Sequence, residues 1–189
     1  MVVRREEEGA LPVLFVCTAN ISRSPYAERR AAQILAEFGG DPVALASAGI
    51  PGVPGRGMDP EMAAQLAARG GQANGHVSRS LTRADLDSTA LVLTFEFAHR
   101  VRIIDAWPEQ AIKVFGLHQF ADALARVRAP ARGLELLDQV YAATRPDGVN
   151  ADVADPYRRG TAAARACAQE IDALLGSIVP ALAGRGRSW

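Results

Sequence analysis

Leu11-Pro12-Val13-Leu14-Phe15-Val16-Cys17-Thr18-Ala19-Asn20-Ile21-Ser22-Arg23-Ser24-Pro25-Tyr26-Ala27-Glu28 is the stretch on which the fold turns. Its first six residues form a short apolar run, rich enough in β-branched and aromatic side chains to predict a buried strand. Beyond Glu28 the pattern changes period. Ala27, Ala31, Ile34 and Phe38 recur at helical spacing and stop at Gly39-Gly40, which predicts a helix with a glycine end. Pro25 falls in the first turn of that helix, where a missing N–H costs nothing. The stretch therefore reads as strand, turn, helix.

Such a turn is a natural oxyanion site. The first N–H groups of a helix have no partner within it, and the helix dipole leaves that end partly positive. A loop from Cys17 to Arg23 can wrap the N–H groups of Thr18, Ala19, Asn20, Ile21 and Ser22 around a phosphate-sized anion as a nest. Arg23 adds a planar fork of donors that matches two oxygens at once. Cys17, at the lip of this positive cup, has its thiolate favoured by the field that attracts the anion. Taken alone, Cys-x5-Arg is a weak signal, because a lone Cys at a strand end is commonly a small core residue. The conjunction with Asn20, Ser24, Pro25, the preceding strand and the following helix is much harder to reach by accident.

With these residues in place, the chain resembles the low-molecular-weight protein tyrosine phosphatases. Their signature is a strand, Cys-x-Gly-Asn-x-x-Arg-Ser-Pro-x-Ala-Glu, and a helix; Cys17, Asn20, Arg23, Ser24, Pro25, Ala27 and Glu28 match it. Ser47-Ala48-Gly49 and the acid motif Asp155-Pro156-Tyr157 follow in family order, so the resemblance runs from Leu11 to about Leu182. It implies an α/β fold of three layers, a four-stranded parallel sheet with helices on both faces (phosphotyrosine phosphatase I-like). It also implies hydrolysis of phosphomonoesters through a phosphocysteine on Cys17. Asp155 is expected to protonate the leaving oxygen and later to activate water, and Ser24 to hydrogen-bond the Cys17 sulfur. Tyr157 is expected to wall the pocket, and a histidine near His76 to brace the loop. No metal or other cofactor is implied. The expected partner is a phosphorylated protein or a small aryl phosphate.

The family pattern is broken in several places. Ala19 replaces a glycine, leaving less room for unusual backbone angles. Ser22 stands where many relatives carry a second cysteine, so a disulfide guard on Cys17 is missing. Ile50 replaces a common threonine, and Tyr157-Arg158 replaces a pair of tyrosines, thinning the aromatic wall and suggesting a role for Arg158 with more negative substrates. Phosphotyrosine protein, phosphoarginine protein and small phosphoester all remain open as substrates. Two further readings stand beside the phosphatase one. A phosphate- or phosphoprotein-binding module without turnover would keep the same loop. Arsenate reductase of the same fold would need a relay of cysteines, and only Cys167 remains.

The rest of the chain sets limits. Its 189 residues suit one domain, with 49% hydrophobic and 22% charged residues as in ordinary globular proteins. Lys plus Arg and Asp plus Glu number 21 each, so no global field points to nucleic acid or a membrane. No run reads as a signal peptide or transmembrane span, and two cysteines give no disulfide framework. A free nucleophilic thiol then suits a cytoplasmic setting.

Residues 1–10 read as a flexible lead-in, 11–182 as one domain, and 183–189 as a flexible tail. Further strands are expected over Pro42–Ala48, Ala90–Phe95 and Ile112–Leu117. A helix from Pro60 to Arg69 is capped by Asp59, and Thr82 with Asp85 forms a capping box. A helical insertion spans 118–153, with Phe120, Leu124 and Val127 on one inward face and Leu134, Leu137 and Tyr141 on another. Its arginines, among them Arg126, Arg128, Arg132 and Arg145, decorate a packed insertion, or alternatively border the active site and select acidic partners. The last helix, about Thr161 to Leu182, carries Ile171, Leu174, Leu175 and Ile178 as its core stripe. His76, His99 and His118 show no ligand spacing and read as structural or exposed.

Overall fold

The computed structural model describes residues 9–145 and 151–185; of Phe38 it describes the backbone only. Most of the expected lead-in, the end of the expected tail and residues 146–150 of the insertion therefore lie outside the described residues. The apolar run becomes β1 (Leu11–Cys17), and the helical pattern becomes α1 (Arg23–Phe38). Then come β2 (Val43–Gly49), α2 (Pro60–Ala67), α3 (Arg83–Asp87), β3 (Leu91–Thr94) and α4 (Phe97–Ala106). A 3₁₀ turn (Pro108–Lys113) leads to β4 (Val114–Gly116), α5 (Leu117–Leu124), α6 (Gly133–Ala143) and α7 (Gly160–Leu182).

The four strands pair in parallel in the order β2-β1-β3-β4. Alternation along β1 divides the core. Val13, Phe15 and Cys17 join Leu91, Leu93 and Phe115 in a cluster with residues of α1, α2, α5 and α7. Leu14 and Val16 join Val92 and Val114 in a second cluster with Leu86 and Ile103 of α3 and α4. A parallel sheet covered on both faces needs such near-continuous apolar strands. The chain leaves β1 toward β2 and returns across it to β3, so the switch point lies between β1 and β3. Ligands in open α/β sheets sit beyond the strand carboxyl ends at that point. Cys17 ends β1 there, and Glu96 follows β3 into the same crevice.

Asp59 caps α2 through Met62 N–H, and Thr82 with Asp85 closes both bonds of a capping box on α3, as expected. Other expectations are corrected. The fourth strand does not begin at Ile112: Pro108 starts a 3₁₀ turn through Lys113, and Ile112 is 60% exposed. Helix α4 has no counterpart in the sequence reading. On α6 the inward face is Leu136 and Val140, with Leu137 partly buried, whereas Leu134 and Tyr141 are more than half exposed. Two of the insertion arginines pair away from the loop: Arg126 meets Asp122, and Arg132 lies 3.7 Å from Asp41 just before β2. Asp41 is at the sheet edge opposite Cys17, so this part of the insertion does not border the loop.

Candidate active site

Between Cys17 and α1 the backbone turns tightly enough that Asn20 takes a positive φ of 58°. Asn tolerates that region better than most residues because its short amide bonds locally. Here the amide is fully buried and donates Nδ2 to Ser24 Oγ and to Ser47 Oγ, each at 2.9 Å. Its Oδ1 accepts from Arg79 N–H at 3.0 Å, and its backbone carbonyl meets His76 Nε2 at 2.7 Å. Ser47 passes the chain on to Glu28. Ser24 Oγ lies 3.1 Å from the Cys17 sulfur and 3.3 Å from the Ala48 carbonyl. Ala19 needs no special angle, because the positive φ falls on its neighbour.

The Ser-Ala-Gly end of β2 underpins this loop. Gly52 N–H donates to the Thr18 carbonyl and Val53 N–H to the Ala19 carbonyl. The loop's own N–H groups are treated differently. Among the described residues, none of the N–H groups of Thr18, Ala19, Asn20, Ile21 and Ser22 donates to a protein acceptor. Backbone donors are rarely left without partners. Five in succession without protein acceptors is what an anion-binding nest requires.

Arg23 is 1% exposed, the largest fully buried side chain among the described residues. Its Nη1 pairs with Glu96 Oε1 and donates to the Val153 carbonyl at 2.8 Å, and its Nη2 lies 3.3 Å from Asp155 Oδ2. Its Nε has no partner among the described residues, nor has the hydroxyl of Ser22. A buried guanidinium donor in this state is poised for an incoming acceptor. Burial pushes the Glu96 carboxyl upward, but the hydrogen bond and charge of Arg23 outweigh it and hold it below its usual value.

Asp155 is partly exposed, held by an Asx turn in which Tyr157 N–H donates to Oδ1 at 3.3 Å. The Arg158 guanidinium stacks on the Tyr157 ring at 5.2 Å, so the two side chains form one wall. The structure thus links Cys17 to Ser24 and Asn20, and Arg23 to Asp155, whose Oδ1 accepts from Tyr157 N–H. His76 reaches the loop as well. Glu96 and His99 were missed: His99, fully buried, contacts Thr18 Oγ1 at 2.8 Å. Their one legible signal was a Glu and a His three apart, directly after a buried strand.

Cys167 is buried in the same apolar cluster as Cys17, and burial pushes its thiol up to about 12. Among the described residues no cluster of side chains could hold a metal ion, and no helix is long and apolar enough to cross a membrane.

A Cys-x5-Arg nest at the switch point of a four-stranded parallel sheet defines the class: an α/β protein built around an oxyanion loop. The family follows from comparison. Residues 12–142 match the family model for low molecular weight phosphotyrosine protein phosphatase, and the chain belongs to that family. It is 33% identical over 102 residues to the low molecular weight protein-tyrosine-phosphatase Wzb of Salmonella typhi, covering 54% of this chain and 65% of that protein. The match to Wzb therefore spans slightly less than two thirds of the relative's length. A protein-arginine-phosphatase of Geobacillus stearothermophilus is 26% identical over 170 residues, covering 90% of this chain and 95% of the relative. The solved low molecular weight protein tyrosine phosphatase from T. tengcongensis superimposes with a TM-score of 0.73 at 28% identity, over 92% of this chain and 100% of that one.

Proposed function

We propose that this protein hydrolyses phosphomonoesters as a protein tyrosine phosphatase, through a phosphocysteine on Cys17. The observation that carries the reading is the run of five N–H groups without acceptors, closed by a buried guanidinium whose Nε has no protein partner. The phosphoryl group sits in the nest, with its equatorial oxygens on the loop N–H groups and Arg23. The Cys17 thiolate attacks phosphorus in line; the S–P bond forms as the P–O bond to the leaving group breaks. Asp155 gives its proton to the departing oxygen. In the second step Asp155 takes a proton from water, the water oxygen attacks phosphorus, and the S–P electrons return to sulfur. The Ser24 hydroxyl, 3.1 Å away, supports that sulfur as a leaving group. The donors are fixed before charge spreads over the oxygens, which favours the transition state over the ground state.

The partner on this reading is a phosphorylated protein. Relatives named for tyrosine and for arginine both lie within reach of this sequence. The partly buried Tyr157, stacked with Arg158, favours an aromatic substrate side chain. Residues 11–182 act as one unit, since α7 packs against α1, α2 and α5.

The test is steady-state turnover of para-nitrophenyl phosphate and of matched phosphotyrosine and phosphoarginine peptides. Wild-type protein is expected to turn over and Cys17→Ser to be silent. Asp155→Asn is expected to lose most on poor leaving groups and least on activated ones. Binding of phosphate without turnover by the wild type would refute the hydrolase reading in favour of a binding module.

A further inference from the structure

Helix α4 is tied to the phosphate loop at two places by two residues of its first turn. Glu96, its N-cap, holds Arg23 at the end of the loop. His99, three residues on, holds Thr18 at the beginning of the loop, next to the nucleophile. We propose that His99 is a positioning residue for the phosphate loop: its Nε2–H fixes the Thr18 side chain and, with it, the nest donors beside Cys17. The proposal rests on the phosphatase reading above.

The direction of the bond follows from the second nitrogen. His99 Nδ1 lies 3.1 Å from the Glu96 backbone N–H, which can only donate. Nδ1 must therefore carry the lone pair, and the proton of the neutral ring sits on Nε2. Nε2–H then donates to Thr18 Oγ1. Burial favours the neutral ring this requires, lowering His99 to about 4. One ring thus caps its own helix with one nitrogen and reaches the loop with the other.

The capping bond alone would explain a polar residue at this place, so the two roles have to be separated. His99→Asn retains a short acceptor for the Glu96 N–H but cannot reach Thr18. Thr18→Val removes the acceptor from the other side and leaves His99 in place, while Thr18→Ser keeps the hydroxyl. If His99 positions the loop, His99→Asn and Thr18→Val each lower kcat on para-nitrophenyl phosphate by about ten- to a hundredfold with KM little changed. Their double variant loses no more than either alone, and Thr18→Ser, which keeps the acceptor for His99, recovers most of the kcat that Thr18→Val loses. Calorimetric titration provides a second readout: the single variants bind orthovanadate, which is five-coordinate on the sulfur, more weakly than wild type by a similar factor, and inorganic phosphate almost unchanged.

The proposal is overturned if either single variant retains kcat and the vanadate-to-phosphate affinity ratio, whatever its melting temperature, or if the two losses multiply in the double variant. Wild-type protein that never turns over would defeat the phosphatase reading instead. The titrations would still show whether His99 sets the loop.

Discussion

Replacing Asn20 perturbs the loop at its hinge, and its contacts allow the cost to be worked out. The amide makes three hydrogen bonds, buried ones to Ser24 Oγ and Ser47 Oγ and a partly buried one to Arg79 N–H. At about 1 kcal/mol each, Asn20→Ala forfeits about 3 kcal/mol, and the stranded Arg79 N–H works in the same direction. Alanine must also hold a φ of 58°, adding about 1 kcal/mol for the left-handed region, for a total of about 4 kcal/mol. Asn20→Gly loses the same bonds but not the strain. After its greater freedom in the unfolded chain, worth about 0.4–1 kcal/mol, it should lie level with the alanine variant or up to about 0.6 kcal/mol above it in stability. Urea unfolding of the three proteins measures both quantities, and para-nitrophenyl phosphate turnover at saturation follows the loop. Both variants are expected to lose most of their activity, because neither holds Ser24 and Ser47. A loss below about 1 kcal/mol for alanine, or glycine less stable than alanine, would refute the argument that backbone strain and the amide bonds act together here.

Two further outcomes are expected. Lowering of His99 from 6.5 to about 4 means that the unfolded chain binds the extra proton between those values. His99 therefore costs stability as pH falls from about 6.5 toward 4, levelling off below that at roughly 3 kcal/mol. Urea unfolding near pH 7 and pH 4.5 should show a drop that is smaller in His99→Asn; equal drops would contradict it. Cys167, pushed up to about 12 by burial, should resist iodoacetamide at pH 8 in the folded protein. Mass spectrometry of native Cys17→Ser should then find no label and of the denatured variant one, and ready native labelling would mean that the helix opens.

What was legible in the sequence was local. Cys17 to Glu28 is one strand–turn–helix whose residues are their own neighbours, so the end of the strand, the turn and the start of the helix could be read from local pattern. Glu96 and His99 reach the loop only because β3 lies beside β1, a pairing that no spacing in the chain announces. Their helix was missed because, of its ten residues, only His99 and Ile103 are buried, too few for a helical stripe. On α6, Leu134-Leu137-Tyr141 and Leu136-Val140 are both valid helical faces. Packing against α5 chose the second, and periodicity does not encode that choice. The fourth strand was overdrawn because Ile112 looks apolar, whereas Pro108 had already committed the segment to a tight turn.

Val153 also has a bearing on how such a protein can vary over evolutionary time. Its N–H is fixed to the Phe95 carbonyl, its carbonyl receives Arg23, and its side chain is fully buried. Two of these three ties are main-chain bonds that do not depend on which side chain stands there. The pin lies downstream of the long excursion through α5 and α6 and two residues ahead of Asp155. Exposed segments upstream of it can therefore change in length while the acid keeps its bearing on Arg23. Within the excursion it is the exposed side of α6, with Leu134 and Tyr141, where change costs the chemistry least, since α5 is held in the core.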